Sequence, residues 1–192
     1  MKLISLVIFS TALALVSPIS YGDNVNETGS ATKSDIKMGP ILQAYGPTSK
    51  IEQADVELPQ NFVYKALFDI SESNKKPNQY NRKIESVARF LNMHARNGVA
   101  LENMKVAVVL HGAATKDVLN DEAYAKRHGH QNPNTELIEQ LADKGVEFYI
   151  CGQSAAFYDI KKSELSADVK LSLSAMTMAV LLQEEGYHLI PF

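Results

Sequence analysis

Cys151 is the only cysteine in the chain. It follows the apolar run 146–150 (VEFYI) and precedes Gly152, Gln153, Ser154 and Ala155. If the segment after it is helical, its free N–H groups aim back at the sulfur and favour the thiolate. The glycine lets a partner approach the backbone closely. The plainer reading is a small buried apolar residue, as free cysteines usually are. Residue types leave both open, because exposure and ionisation decide reactivity. His111-Gly112 ends a second apolar run, 105–110 (KVAVVL). A histidine there suits a base, a donor to a bound anion, a ligand, or a hydrogen-bonded structural residue.

Other candidates are weaker. His128 and His130 have a spacing that metal pairs use, but no third ligand lies near. They read as a solvated loop, and no metal site is expected. Asn132 reads as a helix cap ahead of Pro133 at the first helical position. Asn134 is left over and is expected to face the strand ends. Met176 and Met178 read as core, and His94 and His188 as structural or surface residues. Ser154 lacks the Gly-x-Ser-x-Gly context of a hydrolase elbow. There is no glycine-rich phosphate loop or dinucleotide fingerprint, so no cofactor is expected.

These residues need elements to hold them. Segment 62–70 (FVYKALFDI) reads as a strand. Over 82–96 the apolar residues Ile84, Val87, Ala88, Leu91 and Ala95 form one helical face, which Gly98 ends. Segment 105–110 suits a strand covered on both faces. A short helix is expected over 120–127 and another from Asn132-Pro133, with Leu137, Ile138 and Leu141 inward and Gly145 as its stop. Strands follow at 146–150 and 169–171, then a helix over 175–185 capped by Ser174, and a last strand over 187–190. Strands alternating with helices predict a three-layer α/β sandwich with a mostly parallel sheet of about five strands. Ligands bind such sheets beyond the carboxyl ends of the strands. Both His111 and Cys151 belong to that edge.

The chain has 192 residues, 45% hydrophobic and 21% charged, with a formal net charge of −3 at pH 7. The acidic balance and the lack of a Lys/Arg run exclude a nucleic-acid partner. Residues 3–16 (LISLVIFSTALALV) follow Lys2 and are too short to span a bilayer. Ser20 and Gly22 place small residues before a cut after Gly22, so 1–22 reads as a cleavable signal peptide. No membrane span is expected after its removal, and the location implied is the periplasm. Residues 23–37 read as a disordered leader. Residues 38–60, with Pro40, Pro47 and Pro59, read as an extended arm on a domain of 61–192.

Several motifs in order resemble the DsrE/DsrF-like family of sulfur-relay proteins, in its signal-peptide-bearing branch. They are Val108-Val109-Leu110-His111-Gly112, Asn132-Pro133-Asn134 with Leu137 and Leu141, Gly145-Val146, Cys151-Gly152-Gln153-Ser154, Ser174-Ala175-Met176-Thr177, Leu182-Gln183 and Gly186-Tyr187. The resemblance covers residues 62–192. It implies a flavodoxin-like α/β fold, a tendency to form homo-oligomers, and a persulfide-carrying cysteine at the position of Cys151. Some relatives have Cys-x-x-Cys there; Ser154 replaces the second thiol, so release through an intramolecular disulfide is unavailable. The reading that results is a periplasmic protein binding sulfane sulfur or a small thiol species on Cys151. Gly152 and Gln153 would donate from the backbone beside Ser154, with His111, Gly112, Asn132 and Asn134 lining the pocket. The competing reading is a non-enzymatic ligand-binding or oligomeric interaction module with a structural cysteine.

Overall fold

The central run KVAVVL forms a strand because its branched residues suit the extended backbone and both its faces are covered. The structure, a computed structural model, describes residues 35–59 and 61–191. The segments read from sequence as a signal peptide and most of the leader lie outside the described residues. Five strands form one parallel sheet: β1 (Tyr64–Ile70), β2 (Met104–Leu110), β3 (Glu147–Cys151), β4 (Val169–Ser172) and β5 (His188–Ile190). The helices are α1 (Arg82–Arg96), α2 (Asp121–His128), α3 (Thr135–Ala142), α4 (Gly152–Phe157) and α5 (Ala175–Glu184). A 3₁₀ segment, Gly112–Val118, follows β2.

The strand order is β4-β3-β2-β1-β5. From β1 the chain steps one way across the sheet to β4, then returns past β1 to β5. This is a doubly wound sheet with one reversal, placed between β4 and β5. Right-handed crossovers put helices from opposite stepping directions on opposite faces. Accordingly, Ile84 and Leu91 of α1, Leu137 and Leu141 of α3 and Ala155 of α4 share one core with Phe68, Val108 and Ile150. Leu182 of α5 packs on the other face with Leu67, Ala107 and Val109.

The reversal fixes where a cleft opens. β3 exits to α4 on one face, and β4 exits to α5 on the other. Between them lies a topological switch point, where such sheets bind ligands. The register completes the alignment: Ile70 pairs with Leu110, Leu110 with Ile150, and Cys151 with Ser172. With a period of two, Asp69, His111 and Cys151 all project to the α5 face.

The arm is a turn-rich strap bound to α1. Asn92 lies on the buried side of α1 at 0% exposure. Its Oδ1 accepts from the Ile41 and Leu42 N–H groups, and its Nδ2 donates to the carbonyls of Leu42, Tyr45 and Gly46. Arg96 donates to the carbonyls of Lys37, Met38 and Gly39. Leu42 thereby enters the core.

Candidate functional site

Cys151 is the last residue of β3 and the N-cap of α4. Its residue is 5% exposed. Burial by itself pushes the thiol pKa up. Polar donors around the sulfur outweigh that and leave the pKa below its ordinary value: the Ser154 hydroxyl first, then the backbone N–H groups of Ser154, Ala175 and Gln153. The donors come from the first turns of two helices, α4 and α5, which approach from opposite faces of the sheet. Unpaired N–H groups at a helix start carry partial positive charge, so both ends favour the thiolate.

Local sequence explains the convergence. Ser174 caps α5, accepting from the Thr177 N–H at 3.0 Å. The loop between β4 and α5 passes close to Gly152: a Cβ there would overlap the Ser172 carbonyl oxygen and stand 3.1 Å from that of Leu173. Only glycine allows this approach. Ser154 also accepts from the Gly112 N–H at 3.1 Å. Through this bond the end of β2 holds the same hydroxyl that lowers the Cys151 pKa. Gly112 has φ +51, a left-handed conformation that glycine adopts at little cost.

A cavity of about 470 Å³ opens beside the sulfur. Its wall includes Asp69, His111, Cys151, Ser154, Ser174 and Met176. His111 Nε2 lies 3.1 Å from Asp69 Oδ1, with side chains 31% and 44% exposed. The volume falls within the range of small-molecule sites. Among the described residues no Lys or Arg lines it. Among the described residues, no group of three or more His, Cys, Asp and Glu could hold a metal ion.

The structure thus joins His111, Cys151, Gln153 and Ser154 in one cavity. Gly112 and Gly152 are not on its wall: Gly112 donates to Ser154 from behind it, and Gly152 lets the β4–α5 loop come close. The fold does not bring Asn132 and Asn134 to the cavity. Asn132 Nδ2 donates to the carbonyls of Asp117 and Leu119. Its Oδ1 accepts from the Asn134 backbone N–H and side-chain amide. Asn134 Oδ1 accepts from the Asn81 N–H at 2.6 Å, and Asn81 Nδ2 donates to buried Asp117. The two asparagines therefore satisfy buried polar groups where α1, α3 and the 3₁₀ segment meet, as buried polar atoms must be satisfied. α3 also starts later than Asn132-Pro133 suggested, at Thr135, with Asn134 as an N-cap that makes no side-chain capping bond.

Two further expectations are corrected. Met176 is not core: it is 77% exposed at the cavity wall, whereas Met178 packs against the second core. His128 and His130 do not form a solvated loop. Their rings pack on Tyr124, and the Nε2 atom of each is buried without a hydrogen-bond partner. Burial, followed by the charge of Lys116, lowers the His128 pKa.

Sequence reasoning missed Asp69 and Ala175. A carboxylate inside the apolar strand FVYKALFDI was a usable signal for Asp69. Ala175 contributes a backbone N–H, which no residue type reveals.

The fold and the site define a doubly wound α/β protein with one thiolate-stabilising pocket at its switch point. The chain belongs to the DsrE/DsrF-like family, which matches residues 65–192. A search of curated protein sequences returns no match. Among solved structures it is similar to a protein of unknown function from Methanobacterium thermoautotrophicum, at 18% identity and a TM-score of 0.51, covering 66% of this chain and 97% of that one. That likeness concerns the fold.

Proposed function

We propose that this protein is an exported sulfur carrier that takes up sulfane sulfur on Cys151. The observation that carries the proposal is the Cys151 thiol on the wall of a small-molecule-sized cavity, at the starts of α4 and α5 and with its pKa lowered by the N–H and hydroxyl groups there. Family membership supports a sulfur-relay type of role. The Cys151 thiolate attacks the outer sulfur of a persulfide R–S–SH, a new S–S bond forms, the donor's S–S bond breaks, and R–S⁻ leaves and is protonated. A cavity wall without Lys or Arg favours an organic persulfide over the dianion thiosulfate.

The test is an intact mass of the protein isolated without reductant, before and after cysteine persulfide. Added sulfur that is absent in Cys151→Ser supports the carrier. A mass beginning at Asp23 supports the periplasmic location. The 5% exposure of Cys151 favours the competing binding module. That reading leads if the folded thiol ignores the donor and reacts only after unfolding.

The protein further acts as a homo-oligomer. Met176 and Val180, 77% and 62% exposed, lie one turn apart on α5, and Leu173 in the loop just before it is 69% exposed. Contiguous exposed apolar residues mark interaction surfaces. A second copy seated there borders the sulfur pocket through Met176. Light scattering on Val180→Glu tests this: a mass unchanged from the wild-type oligomer, or a wild-type monomer, overturns it.

A further inference from the structure

We propose that His111, positioned by Asp69, delivers the proton to the thiol that leaves when Cys151 accepts sulfur. This inference rests on the carrier reading and assigns a role that Cys151 by itself cannot fill. The thiolate supplies the electron pair for the new S–S bond. The departing R–S⁻ then needs a proton when R is alkyl, because an alkyl thiolate is a poor leaving group at neutral pH.

His111 and Asp69 are the other titratable side chains on the cavity wall. Asp69 is one pleat back on the neighbouring strand, which lets its Oδ1 meet His111 Nε2 at 3.1 Å. That proximity sets the Nε2 edge of the ring toward the carboxylate and leaves the Nδ1 edge turned away from it. Nδ1 has no hydrogen-bond partner among the described residues, so it is left to serve a reactant. The imidazolium gives its Nδ1 proton to R–S⁻ and becomes neutral, keeping the Nε2 proton on the edge that faces Asp69, and water restores the proton. No electrons enter or leave the pair during the transfer. His111 is the catalytic acid, and Asp69 is a positioning residue.

The test compares two donors of different leaving-group demand. Cysteine persulfide releases an alkyl thiol that needs the proton. A nitroaryl disulfide releases a stabilised thiolate that leaves unprotonated. In wild type both rates are read by intact mass. His111→Gln is expected to lower the ratio of the cysteine persulfide rate to the aryl disulfide rate by about a hundredfold or more, the usual worth of general acid catalysis. Asp69→Asn is expected to lower the same ratio by a smaller factor. Equal slowing with both donors in His111→Gln overturns the inference, because it means the ring only shapes the surroundings of the thiol. Unchanged persulfide loading in His111→Gln also overturns it, and an unchanged ratio in Asp69→Asn removes the positioning role. Wild-type protein that takes no sulfur from cysteine persulfide refutes the carrier reading itself, a different result. Thermal melts of both variants check that each is folded, and a lost ratio counts only in a variant that melts as wild type does.

Discussion

Ser154→Ala removes the hydroxyl that most lowers the Cys151 pKa while leaving the backbone N–H groups that also lower it. A hydrogen bond to a charged group contributes about 1.5–3 kcal/mol. Losing it shifts the thiol–thiolate equilibrium of the folded protein toward thiol by roughly tenfold to a hundredfold, at about 1.4 kcal/mol per factor of ten. Intrinsic nucleophilicity rises as the thiolate becomes more basic, with a slope of about 0.4–0.5. The two effects partly cancel, so alkylation at a fixed neutral pH should slow by only about threefold to tenfold. The cleaner readout is the pH profile. Iodoacetamide labelling of folded protein, followed by intact mass, should show its midpoint at higher pH in Ser154→Ala than in wild type. The variant also deprives the Gly112 N–H of its acceptor at 3.1 Å. Both residues are partly exposed, so water can substitute there and the stability loss should stay near 1 kcal/mol. An identical labelling profile in the two proteins would refute the claim that hydrogen bonding by Ser154 tunes the thiol.

Three other outcomes are expected. Gly152→Ala places a Cβ against the Ser172 carbonyl and should destabilise the protein by about 1–3 kcal/mol in urea unfolding; wild-type stability would contradict the close approach of the β4–α5 loop. Asn92→Ala strips five hydrogen bonds from the arm and should cost about 3 kcal/mol, with limited proteolysis now cutting within 38–59; an arm as protected as in wild type would show that it is held by other contacts. Cys151 has a lowered pKa when folded, so ionisation favours the native state. That stabilisation is complete above the unfolded thiol's value and is lost as pH falls through the folded one. The wild-type advantage over Cys151→Ser should therefore grow as pH rises toward about 9, and melting temperatures that differ by a constant amount across that range would count against a depressed thiol.

The elements were legible where one residue type or one period dominates. The stripe Ile84, Val87, Ala88 and Leu91 marked α1 over the residues it occupies, and KVAVVL marked a strand buried on both faces. His111 and Cys151 were recognisable as strand-end residues because an apolar run stops at each. The asparagines were misread for a physical reason. A buried amide and a pocket amide look alike in sequence, and only the partners (here Asp117, Leu119 and Asn81) tell them apart. Met176 and Met178 fell into different environments because the outer side of α5 is left uncovered in the single chain.

The sequence by itself determined the α/β class, the strand ends and the lone thiol, because hydrophobic period and chain punctuation are local properties. Tertiary structure decided what the thiol is. The direction of the β4–β5 crossover puts α5 on the face opposite α4. That placement opens the cleft at β3, brings the Ala175 N–H to the sulfur, and faces Asp69 and His111 into the same cavity. None of these contacts is encoded in residues near Cys151, since each depends on which way the chain turns after leaving the sheet.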